Sequence, residues 1–241
     1  MKKKVEKQPV MHTTHLPLIL LGVAMSLYGL ITALVWSVSS RQAMRGLITA
    51  GQQRARLAAF EDMGGLIAGI VFLVLFVWCA VASRRGPRAA FIVGALASFG
   101  PILTGRADGL LFDTLGLRLP AGSVIASALA TIVFALPMVI FFIILTSSRR
   151  VPRGCRWLAF GSIFLVLATA FFPIVVTVFA FLVKPGDPGV GRMMEVGALV
   201  VKLRYILPGL SLLGLAALSL QFKKKQIPVG AQTKTQEGGT K

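Results

Sequence analysis

The chain has 241 residues, of which 56% are hydrophobic and 14% charged, with a mean hydropathy of +0.81. Soluble domains carry about 25% charged residues, so this composition excludes a water-soluble globular fold and makes lipid the natural solvent. The formal charge of +18 does not point to nucleic acid, because Lys and Arg sit at the ends of apolar runs, where they anchor helices at the headgroups.

A membrane-crossing helix needs about 20 apolar residues, and six segments meet or approach that length. The chain therefore reads as an all-α polytopic bundle of six transmembrane helices. A basic tail, residues 1–15, holds Lys2, Lys3, Lys4 and Lys7. The first span covers 16–38. Its apolar stretch is too long for the h-region of a signal peptide, so it reads as uncleaved. Residues 39–63 carry Arg41, Arg45, Arg54 and Arg56 against Glu61 and Asp62. They read as an amphipathic helix or helix pair in the outer headgroups, with Leu47, Ile48, Leu57 and Phe60 on its apolar side. The second span covers 64–83, and the third, 89–105, is the shortest.

Between these two spans lies Ser83-Arg84-Arg85-Gly86-Pro87-Arg88. Between the fourth span, 123–147, and the fifth, 157–183, lies Ser148-Arg149-Arg150-Val151-Pro152-Arg153, followed by Arg156. Proline removes a backbone donor and biases its predecessor away from helix, so both segments read as tight turns. Short Lys/Arg-rich loops stay in the cytoplasm. Placing both turns inside puts both termini inside, N-in/C-in. Inner segments then hold 16 Lys/Arg against 2 acids and outer segments 10 against 6, a net +14 against +4. The likeness of the two turns has two readings: duplication of a helical hairpin, with Pro101 and Pro173 in the spans that follow, or the few residue types that suit such turns; the second is favoured, since no period is sustained along the chain. The sixth span lies within 196–222. Residues 223–241 are polar and Lys/Gly-rich and read as a disordered cytoplasmic tail.

Ionisable groups inside a membrane are the best functional pointers. The acids Glu6, Glu61, Asp62, Asp108, Asp113, Asp187, Glu195 and Glu237 all read as lying outside the spans. His12 and His15 precede the first span. Their spacing suits a metal but lacks a third ligand. Asp108 and Asp113 lack the EF-hand spacing. Cys79 falls in an apolar run and Cys155 in a basic loop, so no disulfide or cysteine metal site is expected. Phosphate-loop, GxSxG and HExxH motifs are absent.

Lys202 and Arg204 stand near the outer end of span six, with Arg192, Glu195 and Lys202 on one helical face. One reading has these basic side chains snorkelling outward. The other makes Lys202, Arg204, Glu195 and Arg192 an outer vestibule for anions. Pro101, Pro137, Pro173 and Pro208 each interrupt a span. The small pairs Gly65/Gly69, Gly94/Ser98 and Ala126/Ala130 suit close helix packing.

The expectation is a non-enzymatic, multi-pass protein of a bacterial plasma membrane, without cofactor, metal or nucleic acid. Its expected partners are the lipid bilayer and either other membrane subunits or further copies of itself. An accessory or assembly subunit is the leading reading. A permease subunit energised by a separate ATPase is the alternative.

Overall fold

A computed structural model describes residues 15–83, 85–103, 122–148, 151–182 and 203–220. Among them the chain is helical apart from short turns, without strands. Helix α1 is His15–Met44, α2 Ala50–Ala82 and α3 Arg85–Ala95. A 3-10 turn, Leu96–Ser98, carries α3 onward as helix to residue 103. Helix α4 is Gly122–Ser147, α5 Arg153–Leu182 and α6 Leu203–Leu220.

Four stretches are long and apolar enough to cross a membrane: His15–Gln42, Ala55–Ala82, Arg153–Phe172 and Leu203–Leu220. Two shorter apolar stretches, Pro87–Leu103 and Thr131–Ser147, complete the bundle. Leu20, Leu27, Leu34, Val74, Val81, Phe164 and Phe171 all point outward from their helices. A soluble protein rarely leaves so much contiguous apolar surface exposed, so this is the surface of a membrane-embedded protein.

Residues 39–63 do not form a separate element. They are the end of α1, a turn, and the first turns of α2. Gly46 adopts φ +69, which glycine tolerates best, and the Leu47 amide donates to the Gln42 carbonyl at 3.0 Å. This six-to-one bond closes α1. Thr49 then caps α2: the Gln52 amide donates to Thr49 Oγ1 at 3.2 Å, and the Thr49 amide to Gln52 Oε1 at 3.0 Å. Glu61 and Asp62 are consequently helical and half-buried on α2.

The two arginine turns are built differently. Ser83 ends α2, and Pro87 lies in the first turn of α3, where its missing amide would have no helical partner. In the second turn Val151 donates to the Ser148 carbonyl at 3.1 Å, and α5 starts directly after Pro152. Cys155 is therefore a fully buried residue of the first turn of α5, not part of an open loop. Cys79 is buried on α2, and both thiols are free.

Neighbouring helices run antiparallel. On α2 and α3, Gly94 meets Phe76 while Gly69 meets Ile102. On α3 and α4, Phe91 stacks on Phe141 while Gly100 meets Phe134. On α1 and α6, Gly22 meets Leu213 and Gly29 meets Ile206, and His15 Nδ1 lies 2.9 Å from Ser219 Oγ. The starts of α1, α3 and α5 and the end of α6 therefore share one end of the bundle.

The glycine pair Gly65/Gly69 packs as its spacing suggests. A side chain on Gly65 would collide with the Pro101 carbonyl, and one on Gly69 would meet the Ser98 carbonyl at 2.7 Å. Gly94 and the buried Ser98 likewise sit at packed positions. The side chains of Ala126 and Ala130 lie outside the described residues.

Candidate functional site at the centre of the bundle

Helix α6 touches α1, α2, α4 and α5. Half of its apolar stretch is buried, 50% against 33–39% for the other three spanning stretches. Small residues permit this approach. A Cβ on Gly22 of α1 would lie 2.9 Å from the Gly209 carbonyl, and one on Gly209 would press on Ser26. A Cβ on Gly29 would lie 2.6 Å from Ile206 Cγ1, and one on Gly214 would lie 2.8 Å from Leu158 Cδ2.

Where α6 enters this contact it carries Arg204 and Tyr205. Arg204 is only 4% exposed, and its Nη1 donates to Thr131 Oγ1 on α4 at 2.9 Å. The guanidinium carbon lies 4.7 Å from the Tyr205 ring centroid, within cation–π range. Tyr205 is the hub of an aromatic cluster. Its centroid lies 4.9 Å from Tyr28 of α1, 4.6 Å from Phe134 of α4 and 6.5 Å from Phe72 of α2. Tyr28 and Phe72 meet edge-on at 5.9 Å. The Tyr205 hydroxyl is buried and makes no hydrogen bond among the described residues.

The depth of this cluster follows from helix geometry. Tyr28 lies about 13 residues into α1, or ~20 Å at a rise of about 1.5 Å per residue. Apolar sequence continues beyond it to Val38. Tyr28 and Tyr205 therefore lie within the apolar length of α1, and Arg204 beside them. Arg204 is buried in the bundle, not on its surface. It points into the bundle, engaged by Thr131 and set among aromatic rings. Pro208, one turn on, has no amide to offer the Arg204 carbonyl, which loosens the backbone at this point.

The acidic end of α2 approaches the same neighbourhood. Tyr28 lies within electrostatic reach of both Arg204 and Glu61. A Cβ on Gly65, one turn beyond Glu61, would lie 3.6 Å from the Tyr28 hydroxyl. The Thr32 hydroxyl of α1 turns back to the Tyr28 carbonyl at 2.6 Å.

Of the vestibule residues, Arg204 alone lies among the described residues; Lys202, Glu195 and Arg192 lie outside them. Of the turn arginines, Arg88 and Arg153 are exposed and Arg156 is half-buried. Arg84, Arg149 and Arg150 lie outside the described residues, as does the side chain of Arg85. His12, Asp108 and Asp113 are also outside. Among the described residues no three His, Cys, Asp or Glu side chains converge as metal ligands.

Sequence reasoning found Arg204 but missed its aromatic surroundings and its burial. The one available signal was the spacing of Gly22, Ser26 and Gly29 on α1, which marks a helix prepared for close approach. No family model, curated protein or solved structure matches this chain.

Proposed function

We propose that the chain is a six-span bundle of the plasma membrane with both termini in the cytoplasm, serving as a non-enzymatic accessory or assembly subunit of a larger membrane complex. The carrying observation is the use made of Arg204. A buried intramembrane charge is costly and marks function by default. Here it is spent on an internal tie from α6 to Thr131 of α4, within an aromatic hub that joins α1, α2 and α4. That arrangement fixes helices relative to one another, which is the work of a scaffold.

The second reading is a permease subunit driven by a separate ATPase, carrying an anionic solute. The burial of Arg204 and the prolines Pro137 and Pro208 within helices favour it, since transporters bind their solutes beside interrupted helices.

A mild-detergent purification of the tagged chain from native membranes, followed by mass spectrometry, separates the two. Stoichiometric integral membrane subunits without an ATPase are expected. A stoichiometric ATPase would transfer the protein to the permease reading. Recovery of the chain alone would remove the support for both.

A further inference from the structure

We propose that the hairpin of α1 and α2 binds the headgroup of an acidic phospholipid through Arg41, Arg45 and Arg56. The two helices have 30 and 33 residues, well beyond the about 20 that a crossing needs. Their surplus turns lie at the joined end, since apolar sequence fills α1 from Leu16 to Val38 and reaches Ala82 at the far end of α2. The joined end is tied across the two helices. Gln53 Nε2 donates to Ser40 Oγ at 3.2 Å, and Arg56 Nη1 donates to Gln42 Oε1 at 3.2 Å. Together with the turn at Gly46 and the Thr49 cap, these bonds give the arginines a built frame.

The three arginines gather around Gln42. Arg45 lies three residues past Gln42 and four past Arg41, so it neighbours both on α1. Arg56 reaches Gln42 from α2. All three arginines are exposed. Gln42 is neutral, so its bond leaves the charge of Arg56 in place, and the sequence from 39 to 60 contains no acid.

The apolar surface next to them selects the occupant. Leu27, Leu34 and Val38 are exposed along one side of α1, and Arg41 and Arg45 continue that stripe at steps of three and four. On α2 the exposed Val74, Ile67 and Met63 form a stripe that Arg56, two turns before Met63, also continues. Each outward apolar stripe of the hairpin thus ends in arginine. A molecule lying along either stripe meets apolar side chains for most of its length and guanidinium at its end. A phosphate that carries acyl chains has that pattern. Guanidinium pairs phosphate at two points, and an anionic headgroup brings no ammonium to oppose it. The proposal is independent of whether the chain is an accessory or a permease subunit.

The test uses the purified full-length chain in phosphatidylcholine vesicles, with one tryptophan placed by Val38→Trp about one turn from Arg41 and with W36F, W78F and W157F. Brominated phosphatidylglycerol or brominated phosphatidylcholine is added in equal amounts, and quenching of the tryptophan is read. We expect the acidic lipid to be enriched there by about fivefold or more, since each basic residue near the surface contributes roughly that factor. The variant R41Q/R45Q/R56Q should lose the enrichment while phosphatidylcholine quenches as before. The variant R41K/R45K/R56K should retain most of it, and R88Q/R153Q, at the opposite end of the bundle, should retain all of it. Cooperative thermal unfolding checks the fold of each variant. The native Trp36, in W78F/W157F, serves as reporter if Val38→Trp does not fold, and the lysine variant keeps the charge test if the glutamine variant does not. Equal quenching by the two lipids, enrichment unchanged in R41Q/R45Q/R56Q, or enrichment lost equally in R88Q/R153Q overturns the proposal. So does enrichment that inorganic phosphate abolishes at constant ionic strength, because the arginines would then hold the free anion.

Discussion

Arg204 of α6 holds Thr131 of α4 across 73 positions of sequence, through a 2.9 Å hydrogen bond shut inside the bundle. The bond joins a charged donor to a neutral hydroxyl, away from water. Removing the hydroxyl in Thr131→Val leaves the charge buried with one acceptor fewer. We expect a loss of about 1.5–3 kcal/mol, the usual worth of a hydrogen bond to a charged group. Adding Arg204→Leu removes the charge as well, and the double variant should cost less than the sum of the two single changes. A double-mutant cycle on thermal unfolding in detergent checks this, and additive losses would show that the two residues do not interact.

The aromatic hub gives a second expectation. Tyr28→Phe keeps the ring against Tyr205 and Phe72 and should cost under about 1.5 kcal/mol, as a volume-conserving change does. Tyr28→Ala empties the space and should cost about 3–5 kcal/mol. Equal losses from the two variants would mean that the hydroxyl, not the ring, carries the contribution of Tyr28.

Two glycines separate packing from propensity. Gly65→Leu drives a side chain into the Pro101 carbonyl and should lower stability by about 3 kcal/mol or prevent folding. A Cβ on Gly161 of α5 meets nothing within 4 Å. Gly161→Ala should therefore be neutral or stabilise by up to about 1 kcal/mol through helix propensity. Fluorescence size-exclusion profiles after graded heating report both, and a Gly65→Leu protein as heat-resistant as the parent would refute the close approach.

Both native thiols are buried, Cys155 despite its arginine neighbours. A maleimide should label neither Cys79 nor Cys155 at an appreciable rate in the folded protein, and both after denaturation in SDS. Rapid labelling of Cys155 in the folded state would place it back in an open turn.

With those thiols replaced by alanine, single cysteines test the threading. A probe at Leu47, exposed in the turn between α1 and α2, should react with an impermeant reagent added to intact cells. Probes at Gly86 and Gly154 should not. Labelling of either arginine turn from outside would invert the orientation.

The helices were legible because a membrane enforces length: an apolar run of about 20 residues has few other uses. The turn from α1 to α2 was readable in outline from its polar composition. Thr49-x-x-Gln52 has the spacing of a capping box, a local signal that the amphipathic pattern of residues 39–63 hides. Cys155 was misplaced because the basic residues around it suggest a loop, whereas helix α5 starts at once after Pro152. Arg204 shows the deeper limit. Its flanking sequence, Lys202 to Tyr205, resembles a helix end at a membrane surface. Only the contacts of Tyr205 with Tyr28, Phe72 and Phe134, three helices far away in sequence, fix its height in the bundle.

Helix α6 follows every helix it touches in the chain, and it occupies the space between them. During synthesis the earlier helices must therefore enter the bilayer without their eventual common neighbour. Gly22 and Gly29 then face lipid, and Thr131 has no guanidinium to receive. Sequential neighbours among the earlier helices can pack on one another beforehand, but the seat they share stays open until α6 arrives. A ribosome that stalls before Arg204 would release an intermediate whose unmet polar and small-residue faces distinguish it from the finished protein, and a membrane protease could read that difference.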